Sequence, residues 1–142
     1  MKKVIKLLLI ILWLLVIFIF SNQDGTTSTA LTNGVLEKYL FFIDSDMFFI
    51  VIRKIAHITE YLILGILVFS FVNEFKIDRK IIISLLICLI FSSLDEFHQL
   101  FIPGRTGKIL DVFIDMIGVL LGIGVLLLIH KNLRKQRLYN CK

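Results

Sequence analysis

Apolar residues gather in four long runs along this chain, each broken by a short polar stretch, and the polar positions inside the runs are few and unevenly placed. The first run extends from about Val4 to Phe20 and is uncharged after Lys6. The second, from about Phe48 to Val72, carries Arg53, Lys54, His57 and Glu60 in its first half. The third, Lys80 to Phe101, is apolar or small until Asp95, and the fourth, Ile109 to Ile129, holds Asp111 and Asp115 near its start. Each matches the roughly 17–25 residues needed to cross a hydrocarbon core as a helix, and no period-two alternation suggests a barrel. The pattern predicts an all-α polytopic membrane protein: four transmembrane helices at about 4–20, 48–72, 80–101 and 109–129 in a single domain over 1–142, with a longer connection over 21–47.

Composition agrees. Of 142 residues 58% are hydrophobic and 19% charged, with mean hydropathy +0.92, more apolar surface than a soluble domain of this length can enclose. The net charge of +5 would hint at nucleic acid in a soluble protein. Here the placement of the charges matters more, and no nucleic-acid partner is expected. Lys2, Lys3 and Lys6, then Lys76, Arg79 and Lys80, then Lys131, Arg134, Lys135, Arg137 and Lys142 place eleven basic residues on one side. Lys38, Arg105 and Lys108 place three on the other, or five with Arg53 and Lys54 at the mouth of the second helix. That bias predicts both termini in the cytoplasm and 21–47 as an outer loop. The first run has the basic start and apolar centre of a signal peptide, but the small-residue triplet Ser28–Thr29–Ala30 lies too far beyond it for a usual cleavage region, so a retained helix is expected. Cys88 and Cys141 fall in different compartments on this topology, and no metal-binding cysteine motif is present.

The topology gives the ionisable residues a common depth. The second helix enters from outside with Arg53 to Tyr61 in its outer half, the third arrives there with Asp95 to Gln99, and the fourth leaves again with Asp111 and Asp115. Arg53, His57, Glu60 and Leu64 share one helical stripe, with Tyr61 beside it. Asp111 and Asp115 continue into Gly118 and Gly122, small residues that allow close helix approach. Asp95, His98 and Gln99 make a third polar face. Charged side chains in a membrane are costly and turn toward partners. The short turn-rich segment 102–108 predicts that the third and fourth helices are antiparallel neighbours.

The segments FSNQDGTTS (Phe20 to Ser28), RKIAHITEYLILG (Arg53 to Gly65), DEFHQLFIPGRTG (Asp95 to Gly107) and DVFIDMIGVLLG (Asp111 to Gly122) together resemble the VanZ-like family of small bacterial membrane proteins, in the family's order and spacing. The resemblance implies a location in the cytoplasmic (inner) membrane and a role in the cell envelope, in the context of peptidoglycan or its lipid-linked precursors. The family's namesake is linked to resistance against the glycopeptide teicoplanin. No mechanism comes with the resemblance.

The residues themselves leave several chemistries open. The candidate ligand-binding set is Gln23, Arg53, Lys54, His57, Glu60, Tyr61, Asp95, Glu96, His98, Gln99, Arg105, Asp111 and Asp115. Arg53 and Arg105 suit a phosphate or carboxylate held bidentately, as in a lipid-linked pyrophosphate. In an enzyme, Glu60, Asp95, Glu96, Asp111 and Asp115 are acid–base candidates and His57 or His98 a proton shuttle. The alternative to catalysis is mutual neutralisation as interhelical salt bridges. His57 and Glu60 with Asp95 and His98 would make a nitrogen–oxygen set suited to zinc or manganese, but the spacing matches no standard motif, and no metal or cofactor is assigned. A Ser–His–Asp triad through Ser92 or Ser93 is disfavoured because one helix turn cannot place all three. A transporter is disfavoured by polar groups confined to one depth and by the absence of an inverted repeat. The aromatic and apolar segment 35–43 suits an interfacial anchor or, less simply, a lid. Membrane lipids are expected partners, with a lipid-linked peptidoglycan precursor or a glycopeptide antibiotic as the ligand. The leading expectation is an envelope protein with an outward polar site associated with teicoplanin resistance. The alternative is a membrane enzyme acting on a lipid-linked or phosphorylated cell-wall precursor.

Overall fold

The computed structural model describes residues 2–22, 45–102 and 108–140, with the backbone alone described for 45–50 and 138–140. Among the described residues the helices are α1 Lys2–Ser21, α2 Ser45–Val72, α3 Lys80–Gln99 and α4 Ile109–Asn140. No strand occurs among the described residues, and each helix is long and apolar enough to cross a membrane. Gln23, Arg105 and the segment 35–43 lie outside the described residues.

The helix ends follow local chemistry. After α2 a short 3₁₀ turn, Asn73–Phe75, leads to Lys76, whose φ of 52° takes the left-handed conformation that stops a helix and reverses the chain. α3 closes by tightening, with the N–H groups of Leu100, Phe101 and Ile102 donating to the carbonyls of Phe97, His98 and Gln99, three residues back. α4 runs past the end of its apolar run at Ile129 because the basic tail that follows, rich in Lys and Arg, keeps high helix propensity.

The centre of the bundle is the pairing of α2 with α4, the most extensive contact in the fold. Glycines permit it. A Cβ on Gly118 would lie 2.3 Å from the Ile58 carbonyl oxygen, one on Gly122 2.2 Å from that of Leu62, and one on Gly65 2.8 Å from that of Val119. In lipid no hydrophobic drive pulls helices together, so backbone-to-backbone contact of this kind supplies the packing. The turn-rich link does make α3 a neighbour of α4, but the main partner of α4 is α2.

Tyr61, Leu64, Val68, Phe69 and Val72 of α2 meet Cys88 of α3 and Val119 and Ile123 of α4 in the core. α1 lies at the periphery, burying Ile10, Ile17 and Ser21 and exposing a wide apolar surface. It is tied to α2 by Trp13 Nε1, which donates to the Glu60 carbonyl at 2.9 Å, and by Lys6 Nζ, which donates to the Ser70 carbonyl at 3.0 Å. Those contacts run α1 antiparallel to α2, so the C-terminal ends of α1 and α3 share one end of the bundle with the starts of α2 and α4.

Candidate functional site

α3 shows how the polar end is built. Ser84, Cys88, Ser92, Glu96 and Gln99 recur three or four residues apart, and all are buried, as is Asp95 beside them. The small members bring the α3 backbone close to its neighbours, and the stripe then delivers two carboxylates and an amide into the interior. On α4 the glycine stripe carries Asp115, which is fully buried, and on α2 the buried face carries His57 and Tyr61. Three helices thus bring their polar groups to one place.

Asp115 stands at the centre. Ser92 Oγ donates to its Oδ2 at 2.6 Å, and His57 Nδ1 lies 3.3 Å from its Oδ1. Next to it, Glu96 Oε2 accepts the backbone N–H of Lys108 at 3.0 Å, so a carboxylate of α3 caps the start of α4 and fixes the two helix ends together. A second chain of bonds runs from Arg53 Nη2 to Gln99 Oε1 and from Gln99 Nε2 to Asp95 Oδ2, each at 3.1 Å. Arg53 therefore meets an amide that is itself oriented by Asp95, and it makes no direct ion pair with these carboxylates among the described residues.

Among the described residues, hollows adjoin this core on two sides. One, of about 220 Å³, is lined by Arg53, Lys54, His57, Lys108, Leu110, Asp111 and Ile114. The other, of about 290 Å³, is mostly apolar and lies between α1, α2 and α3, where Leu14, Ile17, Phe18, Phe91 and Leu94 surround Tyr61, Asp95 and His98. Arg53, Lys54, His57 and Asp111 thus share the first hollow, and Glu96 and Asp115 sit beside His57. Asp95 and Gln99 link to Arg53. Tyr61 and His98 face the second hollow, where the His98 ring lies 4.8 Å from that of Phe18 with an interplanar angle of 30°. Glu60 is half-buried, and its carbonyl is engaged by Trp13.

Two sequence expectations change. His98 lines the second hollow with Asp95 but stands outside the bonds linking Arg53, Gln99 and Asp95, because the helix turn points its ring at Phe18 of α1. Glu96 takes its place on the inward face, so the residues whose donor atoms gather within 4.8 Å are His57, Glu96 and Asp115, not His57 and Glu60 with Asp95 and His98. Second, a serine, a histidine and an aspartate do meet, supplied by three helices instead of one turn. Asp115 lies between the other two, so the imidazole does not face the hydroxyl and the order needed to activate a nucleophile is absent. Sequence reasoning missed Ser92 as the partner of Asp115 and Lys108 as a lining residue. Ser92 was detectable, since it stands three and four residues before Asp95 and Glu96.

No curated protein and no solved structure matches the chain. A family model does: VanZ/LLP1 matches residues 6–130, which takes in every described residue of this polar end. On that match, and on four helices able to span a bilayer, the chain is a membrane protein that belongs to the VanZ/LLP1 family.

Proposed function

We propose that this chain is an envelope protein of the bacterial cytoplasmic membrane, with both termini inside. Its polar end faces outward and binds an anionic envelope ligand, and its cellular effect is on susceptibility to glycopeptides, teicoplanin in particular. The observation that carries the ligand reading is the hollow in which Arg53, Lys54 and Lys108 stand around His57 and Asp111. Three cationic residues lining a cavity raise the local concentration of an anion, and a guanidinium recognises a phosphate or carboxylate in a fixed geometry. A lipid-linked cell-wall precursor carries a pyrophosphate at the membrane surface and apolar chains below it, which fits a charged hollow beside an apolar one. The association with teicoplanin rests on the family.

The test is drug susceptibility in a sensitive Gram-positive host expressing the chain, with teicoplanin and vancomycin side by side and membrane levels checked. A teicoplanin-selective gain in tolerance that disappears in Arg53→Gln and Asp115→Asn supports the reading. Unchanged susceptibility at good expression removes the resistance assignment.

A second reading, a membrane enzyme acting by acid–base chemistry on such a precursor, is favoured by the His57–Asp115 contact at 3.3 Å beside the cavity. Turnover of a radiolabelled lipid-linked precursor by the purified protein distinguishes the two: an enzyme yields a product, and a binding protein returns the substrate unchanged.

A further inference from the structure

The geometry points to a divalent-cation site formed by His57, Glu96 and Asp115, of the zinc or manganese class, at the seam of α2, α3 and α4. The inference stands on the donor atoms alone and does not depend on the resistance reading.

Each of the three residues offers a donor atom, and these lie within 4.8 Å of one another. The pattern of hydrogen bonding is more telling than the clustering. Asp115 uses Oδ2 to accept from Ser92 and Glu96 uses Oε2 to accept from the Lys108 N–H. The other oxygen of each, Asp115 Oδ1 and Glu96 Oε1, is buried without a hydrogen-bond partner, and so is His57 Nδ1. Asp115 is wholly buried and Glu96 is 6% exposed. A buried polar atom left without a partner costs about 1–3 kcal/mol, and more when charged. Glu96 Oε1 has none, and His57 Nδ1 and Asp115 Oδ1 have only each other, loosely, at 3.3 Å, so the three call for a shared partner. No lysine or arginine side chain pairs with either carboxylate among the described residues. One divalent cation would satisfy all three atoms and balance two carboxylate charges in a low-dielectric interior.

The distances suit the assignment. Two ligands about 2.1 Å from a common ion at a tetrahedral angle are about 3.4 Å apart, and His57 Nδ1 to Asp115 Oδ1 is 3.3 Å. The wider separations need a closure on the order of 1 Å, within reach of a carboxylate torsion. One imidazole nitrogen with two carboxylate oxygens is a borderline-to-hard set, suited to zinc or manganese and not to a thiophilic ion. Ser92 and the Lys108 N–H are then the outer groups that aim the ligating oxygens. His57 also lines the cationic hollow, so the site borders the space proposed for an anionic ligand.

The experiment uses the full chain purified in detergent, stripped with chelator and dialysed against zinc or manganese, with bound metal counted by mass spectrometry. About one equivalent per chain is expected. Glu96→Gln and Asp115→Asn should lose it, Ser92→Ala should weaken it by roughly 10–100-fold, and Glu74→Gln at the far end should keep it. His57→Asn serves where Asp115→Asn does not fold, and each sample is checked for a monodisperse, helical protein. Folded wild-type protein that takes up neither metal at tens of micromolar overturns the inference. So does uptake that Glu96→Gln and His57→Asn leave unchanged. Neither result bears on susceptibility to teicoplanin, which is measured separately.

Discussion

The two ends of this bundle handle charge in opposite ways. At the polar end, His57, Asp95, Glu96 and Asp115 are buried between helices, and several of their atoms lack partners. At the basic end, charges stay near the surface and find simple company. Lys6 pairs with Glu74, Lys80 Nζ donates to Asn73 Oδ1 at 2.7 Å, and Lys3 Nζ lies 4.3 Å from the centre of the Phe75 ring. A hollow there of about 610 Å³ is bordered by Lys80, His130, Lys131, Arg134 and Arg137, the kind of basic rim that meets anionic headgroups at a membrane surface. The lesson is that the count of charges says little about function. Burial without satisfaction marks a site, while exposed and paired charge marks an anchor and an orientation signal.

The largest expected effect tests whether the polar end depends on the α2–α4 seam. Gly118→Ala forces a methyl to within 2.3 Å of the Ile58 carbonyl, a backbone atom that cannot swing aside, and overpacking of this kind costs on the order of 3 kcal/mol. Gly124→Ala is the matched control on the same helix, since its Cβ would meet nothing within 4 Å. Thermal unfolding in detergent should show a large drop for the first and little change for the second. Equal behaviour would mean that α2 and α4 do not pack through Gly118.

Next comes a direct comparison of the ends. Asp115→Ala removes the acceptor of Ser92 and the neighbour of His57 inside the bundle, where breaking a buried pair costs about 3 kcal/mol. Glu74→Ala breaks the pair with Lys6 in a half-buried setting near the surface, where such pairs contribute little, and should lower the unfolding temperature far less than Asp115→Ala. A larger loss for Glu74→Ala would reverse the contrast drawn between the two ends.

The fold was legible because lipid leaves few options. Four predominantly apolar runs of spanning length, without period-two alternation, admit little but helices, and Gly118 and Gly122 on the stripe of Asp115 announced a close helix contact. The composition of the site was legible only to the resolution of a helix turn. The spacing of Asp95, Glu96, His98 and Gln99 leaves the inward direction of α3 undecided until its partners are known. The buried run Ser84, Cys88, Ser92 settles it, turning Glu96 inward and His98 toward Phe18. Nor does spacing reveal Lys108, whose backbone N–H meets Glu96 only because α3 and α4 end and begin side by side.

A smaller effect is expected at Arg53. Arg53→Lys keeps the charge but gives up the planar donor that reaches Gln99 Oε1 at 3.1 Å, and a compact ammonium does not reproduce that geometry. The expected cost is about 1 kcal/mol of stability. Arg53→Gln loses the charge as well and should abolish any teicoplanin phenotype while the protein still accumulates. Full tolerance in Arg53→Gln would separate the cationic hollow from the function proposed for it.

The smallest effect concerns orientation, and it decides which side the polar end faces. The chain has two cysteines, Cys88 and Cys141, and Cys88 is buried in the bundle, so a membrane-impermeant maleimide applied to intact cells reads Cys141 alone. With both termini inside, the wild type should label only after permeabilisation. Replacing Lys131, Arg134 and Arg137 together by alanine removes three of the eleven basic residues on that side. Because the remaining eight still outnumber those on the other side, only a minor labelled fraction should appear. The polar end is untouched by these changes, so metal uptake and any drug phenotype should persist in the correctly inserted fraction. Labelling of the wild type in intact cells would invert the arrangement. The cationic hollow would then open to the cytoplasm, and its anionic ligand would have to be sought among inner-leaflet or soluble phosphates.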